Sequence, residues 1–295
     1  MHERKVGGVN FTPGNYSAKF IEQVAATTGL SGPARHNMDA LTDTIKCSIH
    51  FSLPDCGVLF PRKAGAEIET SDYELLKPPF DDVVIEYTAV NGFIQEGQSP
   101  SSRRIVVASR HSQFGFDALQ IIPISFYDAS KSWVLPILGY VFPLEVSPAA
   151  LGPRPLALKI MPDRFDAFVE RMGDVEKCLQ AMWNDAADEI SAYIDLVTAL
   201  SLTNVEVSDY RQPRALRVAR SKKKQSLFDY KVLSIRMGQG DKTVREALYG
   251  DRASPRSHLR RGHLRTLGDG RRTWVRPAFI HGSGDGFVHK SYKLA

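Results

Sequence analysis

Cys47-Ser48-Ile49-His50-Phe51-Ser52-Leu53 alternates apolar and polar residues over seven positions, and a period of two marks a β-strand with one buried face. The pattern expects Cys47, Ile49, Phe51 and Leu53 against a core, with Ser48, His50 and Ser52 facing solvent, so His50 reads as a surface strand residue. Outward from this stretch the chain keeps the same character. The strand itself is expected over Ile45 to Leu53, followed by β-type runs at Val83 to Tyr87, Arg104 to Ala108, Ala118 to Phe126 and Trp133 to Phe142. Breaks such as Lys77-Pro78-Pro79 and Gly97 to Ser102 separate them, as short strands of an antiparallel or mixed sheet require.

Helical periodicity flanks this region on both sides. Phe20, Ile21 and Val24 recur at helical spacing within Tyr16 to Thr28, ahead of Gly29 and a stop at Ser31-Gly32-Pro33. A second block runs from Asp163 to Leu202 and is expected to break at Gly173. One stripe carries Phe165, Phe168, Val169 and Met172; another carries Leu179, Met182, Trp183, Ala186, Ile190, Tyr193 and Ile194. These aromatics read as core packing, because a ligand box needs convergent polar groups that the stripes lack. The fold class expected is α+β: a mixed or antiparallel sheet, a central helical block and a basic C-terminal β-hairpin.

With 295 residues and 43% hydrophobic content, the chain can bury a large core without disulfides. It contains no apolar run long enough to span a bilayer, and Met1-His2-Glu3-Arg4-Lys5 leads into polar sequence, so a cytoplasmic location in the host cell is expected. Cys47, Cys56 and Cys178 form no Cys-x-x-Cys pair and read as reduced, buried thiols. No metal and no cofactor is expected.

The net charge of +5 conceals a strong asymmetry. Residues 1–210 hold 17 Lys/Arg against 27 Asp/Glu, whereas residues 211–295 hold 21 against 6. The organisation expected is an acidic α+β body over 1–210 with a peptide-binding surface, a basic linker or arm over 211–226, and a basic β-rich subdomain over 227–295. Arg214, Arg217, Arg220 and Lys222-Lys223-Lys224 make the middle segment self-repelling and suited to a polyanion. A surplus of this size concentrates polyanions in a salt-dependent way.

The tail reads Arg256-Ser257-His258-Leu259-Arg260-Arg261-Gly262-His263-Leu264-Arg265, then a turn at Gly268-Asp269-Gly270, then Thr273-Trp274-Val275-Arg276-Pro277-Ala278-Phe279-Ile280. This is strand, turn, strand. Arginine offers planar forked donors that match phosphate and stack on bases, so Arg256, His258, Arg260, Arg261, His263 and Arg265, with Lys222, Lys223 and Lys224, are the expected RNA- or ribosome-binding residues. His258 and His263 are also the candidates for metal-independent ribonuclease chemistry, one neutral and one protonated, with arginines neutralising the phosphorane. On a regular strand they fall on opposite faces, and a bulge at Gly262 is needed for them to converge. A structural role, hydrogen-bonding within the sheet and orienting the arginines, is the simpler account.

The tail resembles the type V-A anti-CRISPR proteins, carried by phages and plasmids, that suppress production of the type V CRISPR nuclease. Their Arg-x-His-x-Arg-Arg-Gly-His core is met by Arg256, His258, Arg260, Arg261, Gly262 and His263, and the following strand by Trp274, Pro277-Ala278, Phe279-Ile280 and Ser283-Gly284. Weaker echoes are Phe51-Ser52-Leu53-Pro54-Asp55-Cys56-Gly57-Val58 and the proline-punctuated Leu135-Pro136-Ile137-Leu138. Departures from the family pattern are Leu264 in place of an aromatic, Arg265 after it, and a cysteine displaced by one after Pro54-Asp55. The resemblance implies a host-defence-evasion protein that recognises a nascent polypeptide N-terminus and causes loss of the message being translated. The peptide site is then expected near Leu53, Pro54, Asp55 and Trp133.

Three functions are thus expected in order. First comes a non-catalytic binder joining nascent-peptide recognition to RNA or ribosome contact, with the peptide of a CRISPR nuclease or another host protein as partner and no membrane. The alternatives are a ribonuclease using His258 and His263, and a DNA-binding or structural phage protein.

Overall fold

The computed structural model describes residues 13–60, 80–89, 101–111, 116–144, 155–235, 258–260, 263–275 and 278–280. They divide into two compact units, one of residues 1–200 and 207–234, the other of 201–206 and 235–295.

The first unit is organised by a mixed nine-stranded sheet. Its strands are β1 (Ile49–Ser52), β2 (Asp82–Thr88), β3 (Ser101–His111), β4 (Ala118–Tyr127), β5 (Ser132–Trp133), β6 (Leu138–Pro143), β7 (Leu156–Lys159), β8 (Val205–Tyr210) and β9 (Tyr230–Ile235). They run in the order β7-β6-β4-β3-β2-β1-β9-β8, with β5 on β4. β1 is parallel to both β2 and β9, while β2 to β7 pair antiparallel. The α+β class read from the sequence is the one observed.

Both faces of this sheet are covered. On one, α1 (Tyr16–Ala26) and α2 (Gly32–Cys47) pack Phe20, Met38, Leu41 and Ile45 on Val84, Ile105, Val107 and Ile124. On the other, α5 (Ala187–Leu200) packs Ile190, Tyr193 and Leu196 on Phe51, Ile85, Val106 and Ile121. α3 (Pro162–Met172) and α4 (Val175–Asp185) complete the helical block, and α3 ends at Gly173 with φ 72°, a left-handed cap that glycine adopts without steric cost.

Two-sided coverage corrects the opening expectation: His50 and Ser52 are buried, because β1 lies between two strands and beneath a helix. The His50 ring stacks on Phe228 at 3.9 Å, and its Nε2 lies 2.9 Å from the Ile45 carbonyl. Ser31-Gly32-Pro33 starts a helix rather than stopping one, since the Ser31 hydroxyl accepts from the Ala34 N–H and Pro33 sits in the first turn, where its missing donor costs nothing. Ile45 accordingly belongs to α2, and β1 begins at Ile49. The expected basic linker is also ordered. Residues Arg214–Lys222 form α6, anchored by Arg217 on Asp229 and Arg220 on Glu22. Of the three free thiols only Cys178 is buried; Cys47 ends α2 on an exposed face and Cys56 is half-buried in a turn.

The second unit contains two small antiparallel ladders: β10 (His258–Arg260) with β13 (Ala278–Ile280), and β11 (His263–Thr266) with β12 (Arg272–Val275). The Gly268-Asp269-Gly270 turn closes the second ladder, where the Leu267 N–H donates to the Arg271 carbonyl at 2.7 Å and the Arg271 N–H donates to the Asp269 carboxylate at 3.1 Å. Gly270 has φ 82°.

Candidate functional site

The observed cleft arises from a defect in the sheet, and prolines make the defect. β4 pairs with β5 at Phe126 and Tyr127 and with β6 from Ala118 to Ile121, which leaves β4 residues 122–125 without a partner strand on that side. Pro136, in the connection between β5 and β6, has no N–H to give a ladder, and neither has Pro123 on β4. The expected single strand from Trp133 to Phe142 is therefore two strands with a gap. The Ile137 carbonyl turns away to accept from Ile160 and Met161.

A cleft of about 690 Å³ occupies this side of the sheet. The segment from Val134 to Leu138 walls it on one side, α3 and α4 contribute Phe168, Arg171, Met182 and Asp185, and Arg104 and Glu189 stand among its polar groups. Phe168 and Met182, taken from sequence as core packing, thus line a cleft whose buried charge pair comes from another strand and the next helix.

Glu189 is only 1% exposed and its Oε1 lies 3.0 Å from the Arg104 guanidinium. The contact lacks hydrogen-bond direction, and both carboxylate oxygens are without a protein donor. Burial pushes the Glu189 carboxyl up to about 7, against the opposing pull of Arg104. Burial works against the Arg104 charge, but Glu189, Tyr87 and Asp185 outweigh it and raise its pKa. Arg104 also donates to the Ser125 hydroxyl. The Tyr140 hydroxyl donates 2.7 Å to the Met182 carbonyl, while the buried Tyr87 hydroxyl has no partner. The result is an amphipathic trough, apolar along the Val134 to Leu138 wall, with a buried Arg104–Glu189 pair among its lining groups.

Of the residues expected to bind a peptide, Leu53 and Trp133 are buried on opposite faces of the sheet, Leu53 against α5 and Trp133 against α1. They cannot form one surface. Pro54 and Asp55 lie at the short 3-10 turn Asp55–Gly57 and are not among the residues that line the cleft. The apolar segment Leu135-Pro136-Ile137-Leu138, by contrast, does line it. Arg104, Asp185 and Glu189 were missed by sequence reasoning. A signal existed for Glu189: it shares a helical face with Tyr193 and Leu196 at i+4 and i+7, both buried.

Lys222 ends α6, and Lys223 and Lys224 follow it, all exposed. His258 and Arg260 lie on β10, His263 and Arg265 on β11, and Arg265 is exposed. The two histidines sit in different ladders, opposite Ile280 and Val275 respectively. Arg256, Arg261 and Gly262 lie outside the described residues, as do Pro277 and Ser283-Gly284. Among the described residues no group of three or more His, Cys, Asp or Glu side chains could hold a metal, and no helix is long and apolar enough to cross a membrane.

Fold and cleft together define an α+β protein with a mixed sheet covered on both faces and an amphipathic trough at a gap in one of its ladders. No protein-family model and no curated protein matches the chain. Among solved structures, the crystal structure of AcrVA2 is similar, at 12% identity and a TM-score of 0.37 over 90% of this chain and 85% of that one. At that TM-score the likeness carries no functional argument.

Proposed function

We propose that this is an anti-CRISPR-like, non-catalytic binder that takes the N-terminal stretch of a nascent polypeptide in the cleft, contacts RNA or the ribosome through its basic residues, and lowers expression of the message being translated. The observation that carries this reading is the cleft: an apolar wall supplies pockets for side chains, and the exposed Asp185 carboxylate at its lining supplies an acceptor for peptide N–H or ammonium groups. Support also comes from the sequence, because the wall is the proline-punctuated Leu135 to Leu138 stretch and the tail carries the Arg-x-His-x-Arg-Arg-Gly-His pattern.

The test is a set of reporters whose opening codons encode the N-terminal segment of a type V CRISPR nuclease, co-expressed with the protein. Message and protein levels are expected to fall, and half-buried Ile137→Glu, at the cleft wall, is expected to restore them. A compensated frameshift, which keeps nearly the same RNA but changes the peptide, is expected to escape. Equal repression of the frameshifted reporter would overturn peptide recognition.

A further inference from the structure

The first unit carries a cluster of cations on the sheet face opposite the cleft. Lys19 Nζ and Arg103 Cζ each stand 5.8 Å from the centroid of the Tyr16 ring, and Arg103 also lies 4.3 Å from that of Phe126. Arg220, from α6, joins them by pairing with Glu22, one turn beyond Lys19 on α1. Two elements thus bring cations to one half-exposed ring, and a third sets Arg220 beside Glu22 on the same helix as Lys19. Among the described residues neither Lys19 nor Arg103 has an ion-pair partner, and Glu22 already serves Arg220.

Burial, then the proximity of Arg103 and Arg220, lowers the Lys19 pKa despite Glu86 and Glu22. Cations crowded in this way gain from an anion that bridges them. From Arg220 the same helix leads to Lys222, Lys223 and Lys224, which are exposed, and Arg214 is exposed at its other end. The charges therefore form a track rather than a single spot. A chain with one charge per residue and oxygens matched to guanidinium forks suits a track better than carboxylates do.

We propose that Lys19 and Arg103 at the Tyr16 ring, with Arg220 held nearby on Glu22, seat a phosphate of single-stranded RNA, whose chain continues along α6 toward Lys222, Lys223 and Lys224. This rests on the RNA-binding half of the proposed function and needs nothing of the cleft. It places Lys19 and Arg103, two of the three contacts, in the stretch 1–210 that composition marks as acidic.

The experiment is fluorescence anisotropy of a labelled oligouridylate with the full chain over a salt series. Wild type is compared with Lys19→Gln/Arg103→Gln, with Lys19→Arg, with a tail variant Arg260→Ala/Arg265→Ala, and with the distant Lys177→Gln. Loss of this one phosphate contact should lower the slope of log affinity against log salt by about 0.7, so the change in affinity between about 50 and 200 mM salt shrinks roughly 2.6-fold. Lys19→Arg should retain binding and Lys177→Gln should match wild type. Where the double variant fails to fold by circular dichroism, exposed Lys19→Glu replaces it, with weakened binding expected. An unchanged slope in the α1/β3 variants, with loss in the tail variant, overturns this seat while leaving the RNA reading intact; no binding by wild type overturns both. Equal binding of polyglutamate, with the same variant effects, overturns the nucleic-acid assignment.

Discussion

Replacing Glu189 by Gln should change how stability depends on pH. The folded protein holds this carboxyl up to about 7, against an ordinary value of 4.5, because it is buried beside a single off-angle guanidinium contact. Between those values the folded state binds a proton that the unfolded state has lost, so wild-type stability falls as pH rises through this window. The raised value makes the ionised group a cost of about 3 kcal/mol above pH 7. Gln has no such titration. Its absolute effect includes the loss of a partner for the buried Arg104, which opposes any gain, but that loss is nearly independent of pH here. The informative quantity is the difference in unfolding free energy, wild type minus Glu189→Gln, from urea titrations across the window. It should decline by about 3 kcal/mol from low to high pH. A flat difference would mean that Glu189 titrates as an exposed carboxyl. A rising one would mean that Arg104 dominates, and either result refutes the reasoning.

Two further outcomes follow from buried polar groups. The Glu86 carboxylate accepts from the Tyr16 and Ser17 N–H groups at 2.8 Å and from the Tyr230 hydroxyl at 2.9 Å, tying the start of α1 to β9. Glu86→Ala should cost about 3–5 kcal/mol in urea unfolding, since it removes a carboxylate that caps a helix and leaves buried donors unpaired; a cost below about 1 kcal/mol would show the tie to be dispensable. His50 is held down to about 4, chiefly by burial despite its bond to the Ile45 carbonyl. Its ring should therefore stay neutral at about pH 5.5, where an unshifted His, with pKa near 6.5, is mostly charged. NMR titration of the ring checks this. The stability His50 contributes is present above the unfolded pKa and lost as pH falls through about 4, the sense opposite to Glu189.

Local pattern was legible wherever one physical requirement decided it. The expected strand at Val83 to Tyr87 appears as β2, Ala118 to Phe126 as β4, and the glycine break at Gly173 as a left-handed cap, because periodicity and a positive φ are properties of short segments. The errors arose where two local readings were both allowed. Ser-Gly-Pro can end one helix or open the next, and an alternating strand looks half-exposed until a second layer covers it. A basic segment can remain an arm or fold as α6 when Asp229 and Glu22 lie within reach.

By itself the sequence determined the α+β class, the basic tail and the residues that carry its motif, since these follow from composition and nearest neighbours along the chain. Tertiary structure alone decided the sites. Arg104 and Glu189 are 85 positions apart yet stand 3.0 Å from one another, Lys19 and Arg103 reach Tyr16 from two elements, and Arg220 reaches Glu22 across 198 positions. Such encounters depend on which strands pair and which helices cover them. No period in the sequence encodes that, because it is fixed by the burial of the whole sheet at once.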